Sequence, residues 1–150
     1  MESKSSLEDV NGLLSDLLRR RESVKESKLC KILRGLSPDE KFLVIEKLSE
    51  GNVRMAASVA ARINFPEWLL SDLFVNVLKR GGSNEIKQYV AHLFVHRMAA
   101  NKMLGVLKKN KGCYSKSVRF AAYYLSKSGS ISEKSRAKFL DIFDSVKNDE

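Results

Sequence analysis

Only two of the 150 residues are proline and only two are cysteine. With so little proline, long stretches are free to be helical, because a proline inside a helix removes a backbone donor and clashes with the preceding turn. Cys30 and Cys113 stand in unrelated contexts, with no Cys or His at zinc-ligand spacing. Both read as free thiols, Cys30 in a helix and Cys113 in a turn, as suits a reducing compartment. No apolar run has the length of a membrane span, and the start, Met1-Glu2-Ser3-Lys4, lacks the apolar core of a secretory signal. The chain is therefore expected to be intracellular, cytoplasmic or nuclear, with no membrane partner. There is no phosphate-binding glycine loop and no Gly-x-Ser-x-Gly elbow, and neither cysteine has a companion that would activate it as a nucleophile. The chain is expected to be no enzyme and to hold neither cofactor nor metal.

Acidic residues are scarce in one region. Residues 51–130 carry thirteen Lys and Arg against Glu67, Asp72 and Glu85, a net of +10 within a total of +9. Residues 1–50 balance ten against ten, and residues 131–150 carry four against five. A regional field of one sign favours polyanionic partners: nucleic acid, an acidic protein segment or anionic lipid.

That basic region also repeats. Val53-Arg54-Met55-Ala56-Ala57, Ile86-Lys87-Gln88-Tyr89-Val90 and Val118-Arg119-Phe120-Ala121-Ala122 each open with an aliphatic residue and a cation, at steps of 33 and 32 residues. Such a period marks paired-helix units that bury their apolar faces only by stacking. Capping-box spacing at Ser5-x-x-Glu8, Ser23-x-x-Glu26, Ser37-x-x-Glu40 and Ser130-x-x-Glu133 predicts helix starts, with Pro38 and Pro66 in first turns. Apolar residues at helical period place helices near 6–20, 24–35, 38–49, 53–64, 66–80, 85–98, 100–110, 116–127 and 131–147. Glycines at 51, 81, 82 and 112 are expected to end helices in the left-handed conformation, with Asn52, Ser83 or Asn84, and Ser115 or Ser117 capping the next. The apolar runs 42–45 and 73–75 are short enough for strands, but each lies inside a longer helical pattern, so the fold is read as all-α.

The opening of a second helix by an aliphatic residue, Arg, any residue and two Ala, after a glycine turn, resembles HEAT-type repeats over about residues 37–127. The resemblance implies antiparallel helix pairs stacked into a short α-solenoid, with second helices on the concave side. HEAT repeats often place an aspartate in the turn to pair with the second-helix arginine; here the turns offer Asn52, Asn84 and Ser115. The whole chain, 1–150, then reads as one helical-repeat domain. Residues 1–36 form N-terminal helices in the charge-balanced part, 37–127 the basic helix pairs, and 128–150 a C-terminal capping helix and tail.

Candidate binding residues follow from helical spacing. Arg54, Ser58 and Arg62 fall at i, i+4 and i+8, as do Arg119, Tyr123 and Lys127, and Lys87 holds the corresponding first offset, with Gln88, His92 and His96 one position round. On a concave face they would make a basic strip for phosphates, with aromatic rings for stacking on bases. Lys108, Lys109, Lys111 and Lys116 crowd one turn, joined by Lys79 and Arg80 at the preceding one, more cations than helix-end capping requires. Arg19-Arg20-Arg21 is read as a solvated helix face because Glu22 and Glu26 are interspersed. Glu85, His92 and His96 lack the His-Glu-x-x-His zinc signature. Trp68 and Tyr89, with Glu67 or Asp72, are the residues a base-excising enzyme would draft, and nothing in their spacing fixes a geometry. Phe65, Trp68, Leu69, Leu70, Met98, Met103 and Leu104 are expected in the core. The leading expectation is a binding module for the nucleic-acid backbone, and the alternative a scaffold that docks an acidic or amphipathic helical segment of a protein partner.

Overall fold

Described by a computed structural model over residues 23–146, the chain is all-α, with no strand among these residues. The helix expected over 6–20, the capping pairs at Ser5 and Ser23, and Arg19-Arg20-Arg21 lie outside what is described. The chain divides into two compact units, one up to Pro66 and one from Glu67. No helix among the described residues is long and apolar enough to cross a membrane.

The first unit contains α1 (Ser23–Leu33), α2 (Pro38–Gly51) and α3 (Val53–Arg62), with α3 packed on both others. Ser37 starts α2 as its sequence predicts: its Oγ accepts the Glu40 N–H at 3.3 Å, and Glu40 Oε1 accepts the Ser37 N–H at 3.1 Å. Asn52 alone makes the sharp turn into α3. Its N–H donates to Leu48 O, its Oδ1 accepts the Met55 N–H at 3.0 Å, and its backbone is extended at φ −156°. Because Asn52 completes this turn, Gly51 stays helical, contrary to the expected left-handed ending. Gly112 also departs from that expectation: Gly81, at φ 72°, is the only glycine with positive φ among the described residues.

Helix α3 buries Met55, Ala56, Ala57, Val59 and Ala60, and the three alanines leave room for close helix approach. Two cations satisfy carbonyls at and just past its C-terminal end. Arg34 donates to Arg62 O at 3.1 and 2.9 Å, and Lys41, a residue only 6% exposed, donates through its ammonium to Asn64 O at 3.2 Å. Positive charge is favoured there because a helix leaves its last carbonyls without partners.

The second unit begins with α4 (Glu67–Arg80), whose Leu69, Leu70, Leu73, Phe74, Val77 and Leu78 form a continuous buried stripe. Each such side chain contributes about 1.5–3 kcal/mol on burial. Trp68, expected in the core, is instead 57% exposed. It lies about 140° round the helix from Leu73, at about 100° per residue, and so falls outside the stripe. Leu69, Leu70, Met98, Met103 and Leu104 are buried as expected.

Helix α5 follows as Ser83–Tyr89, a π-helical stretch Val90–Phe94 and a last α turn Val95–Arg97. Then come α6 (Ala100–Asn110), α7 (Ser115–Lys127) and α8 (Glu133–Val146). Helix α4 packs on α5 and α6, α5 on α7, and α6 on α7, while α8 lies across α6 and α7. The rings of Phe74 and Phe94 stack at 4.2 Å, with Tyr89 fully buried 5.8 Å from Phe94.

The start of α8 differs from its predicted capping pair. Ser130 donates its N–H to Ser128 Oγ at 3.2 Å, which commits it to the loop, and Ser132 caps instead by accepting the Ser135 N–H at 3.2 Å. Glu133 pairs with Arg136 at 2.6 Å rather than reaching back to Ser130. Helices α5 and α7 also start without the serine and asparagine caps predicted for them: their N-cap positions are Gly82 and Tyr114, with no side-chain capping bond.

Candidate functional site

The π-helical stretch of α5 decides which side chains meet. In an uninterrupted α-helix Lys87 and His96, nine residues apart, would lie about 180° from one another. The extra residue that a π-turn inserts takes back about 100°, so His96 swings toward the Lys87 face. The same rotation carries Met98 back to the buried side of Ile86, both side chains being buried. Continuity of the apolar stripe thus accompanies a change of phase on the polar side.

The result is an open groove of about 260 Å³ on the second unit. From α5, Lys87 and His96 line it beside the apolar Val90, Ala91 and Val95. From α7 and the loop after it come Tyr124, Lys127, Ser128 and Ser130. No acidic side chain is among the described residues that line it. Tyr124 is held by a hydrogen bond between its hydroxyl and Ser83 Oγ, 3.1 Å apart, and by an edge contact with Tyr123 at 5.6 Å. The Lys127 ammonium stands 5.6 Å from the centre of the Tyr123 ring, a cation–π position that restrains an otherwise flexible cation.

The other candidate residues fall into different settings. Arg119 lies on α7 but is half-buried, its guanidinium 4.9 Å from the Phe143 ring of α8. Tyr123, 43% exposed, is 6.0 Å from the same ring. The capping helix therefore packs on the first part of the Arg119, Tyr123, Lys127 stripe and leaves its Lys127 end in the groove. Arg80 is bound by both oxygens of Glu85 at 2.8 and 3.0 Å, which also engages the carboxylate weighed as a metal ligand. Lys79 is exposed beside it. Among the described residues no three His, Cys, Asp or Glu side chains converge as metal ligands would.

The lysine turn is split. Lys108 and Lys111 share a groove of about 380 Å³ with Lys138 and Asp141 of α8, whereas Lys109 and Lys116 are exposed and do not line it. In the first unit Arg54 is exposed, and Arg62 reaches Ser27 Oγ of α1 at 3.1 Å. Tyr89, considered as an aromatic wall for a base, is in the core and closed to any ligand.

Tyr124, Ser128 and Ser130 of the groove were not among the candidate binding residues, whereas His96 was placed in the basic strip, one position round from Lys87. Tyr124 was within reach of the sequence, since Tyr124 and Lys127 are three apart on one helix face. The closeness of His96 to the Lys87 face was not, because regular helical spacing sets the two about 180° apart and only the π-helical phase change brings them together. Lys138 was also missed, since it joins Lys108 and Lys111 only through the packing of α8 on α6. Compared with protein-family models, curated proteins and solved structures, the chain matches none.

Proposed function

We propose that the second unit binds the phosphate backbone of nucleic acid, as a module that performs no chemistry of its own. The observation that carries this reading is the convergence of Lys87 and Lys127, forty residues apart, on one groove without an acidic residue among its described lining. Two such ammonium groups meet a polyanion without first having to leave a carboxylate, and each phosphate they neutralise releases condensed counterions. Lys79 and the exposed lysines of the 108–116 turn, on the same unit, strengthen the attraction at longer range. Arg62, Arg80 and Arg119 contribute charge while already engaging Ser27, Glu85 and Phe143. The same reading takes α4 with α5 and α6 with α7 as two HEAT-like pairs closed by α8. It is supported by first helix packing on first helix and second on second.

Titration against labelled single- and double-stranded oligonucleotides tests it. Affinity should fall linearly on a log–log plot against salt, by about 0.7–0.9 in slope for each phosphate contacted. Absence of binding at low salt would sink the reading. Capture of a protein that survives nuclease and is lost on Lys87→Glu with Lys127→Glu would transfer the groove to an acidic protein segment.

A further inference from the structure

The groove is not uniformly cationic. Its two lysines stand beside an apolar surface made by Ala91, Val95 and Tyr124, with the buried Val90 as its floor. Phosphates alone give no reason for that surface, since a backbone contact needs donors and charge. An unpaired base does, because its π-face and edges gain by leaving water against aromatic and aliphatic groups. The groove's volume, about 260 Å³, lies just below the range of small-molecule pockets, about 300–1,000 Å³, and so suits one base with its sugar rather than a longer segment. Tyr124 is fixed in advance by Ser83, so little ordering is lost when a ring settles against it. Ser128, Ser130 and His96 add hydroxyl and imidazole groups able to meet the polar edge of a base or a sugar hydroxyl.

We infer that this groove takes one unpaired nucleotide of a single strand. The base rests against Tyr124, Ala91 and Val95, and the flanking phosphates lie at Lys87 and Lys127. This rests on the nucleic-acid reading above and adds a selection to it: a duplex, whose bases are stacked and paired, presents phosphates to the lysines but leaves the apolar surface wet.

The test uses the full chain and three labelled probes of equal length: an oligothymidylate, a strand of abasic sugar-phosphate units, and a mixed-sequence duplex. Anisotropy titrations at one low salt concentration should rank the oligothymidylate first, about 5- to 150-fold tighter than the abasic strand, the span of one base–aromatic contact. Tyr124→Leu should remove most of the advantage of the oligothymidylate over the abasic strand. Ala91→Leu, which narrows the groove without touching the Ser83 bond, should do the same and guards against a Tyr124 variant that folds poorly. Equal affinity for oligothymidylate and abasic strand, or preference for the duplex, overturns the inference while the phosphate reading stands. Failure of all three probes to bind overturns both.

Discussion

Neutralising the two groove lysines, Lys87→Gln and Lys127→Gln, isolates the contribution of the convergence seen in the second unit. For a single strand each neutralised phosphate adds about 0.7 to the slope of log affinity against log salt. At about 0.1 M monovalent salt that slope corresponds to about 0.7 in log affinity, or fivefold, close to 1 kcal/mol. With each lysine on its own phosphate, the double variant should lose about 1.4 from the slope and bind about 25-fold more weakly at that salt. The structure supplies the matching controls. Arg80→Gln removes a cation already bound by Glu85 at 2.8 and 3.0 Å, and Lys134→Gln removes an exposed cation of α8 that is not in the groove lining. Both should move the slope far less than the groove pair. The assay is an anisotropy salt series on a labelled single strand, with circular dichroism to verify that helix content is retained. An unchanged slope in the double variant, or an equal drop in Arg80→Gln, would refute the assignment of phosphate contact to this groove.

Four further outcomes concern the scaffold. Asn52→Ala should cost about 1 kcal/mol in urea unfolding, through loss of the side-chain cap on α3; no change would mean that the bond to Met55 contributes nothing. Phe74→Ala should cost about 3–5 kcal/mol, because it removes a fully buried ring stacked on Phe94 at 4.2 Å, and thermal melting followed by circular dichroism will register it. Lys41→Met keeps the apolar stem and takes away the donor to Asn64 O, so it should destabilise by about 1–3 kcal/mol, whereas a stabilised variant would contradict the capping role. Gly81→Ala should cost about 1–2 kcal/mol for a left-handed backbone carrying a Cβ. The new methyl would meet Ser117 Oγ at an ordinary 3.4 Å, so adding Ser117→Ala should give no rescue.

Much of the fold was legible because its signals are local. The capping box at Ser37 and Glu40, Pro38 in a first turn, and the apolar period of residues 69–78 act within one or two helical turns, and each does what its spacing implies. The misreadings arose where a residue had more than one local option. Ser130 and Ser132 both precede Glu133, and the loop bond to Ser128 left the cap to Ser132. Trp68 has a side chain that favours burial, but its angular position puts it outside the stripe. Of the candidate binding residues, Lys87 and Lys127 were found by helical offset and His96 one position round, while their meeting in one groove depended on which faces of α5 and α7 pack together.

The sequence by itself determined the all-helical character, most helix boundaries and the concentration of positive charge in residues 51–130, since propensity, capping and net charge are sums over near neighbours. Tertiary structure decided which cations share a site. The aliphatic-cation repeat places Arg54, Lys87 and Arg119 at equivalent positions, but packing sets them in unlike surroundings: Arg54 exposed on α3, Lys87 in the groove, Arg119 against Phe143 of α8. The physical reason is that a helix's neighbours, and a phase change such as the π-turn at Val90–Phe94, set where each side chain points in space, and neither is encoded in the spacing of the residues that carry the charge.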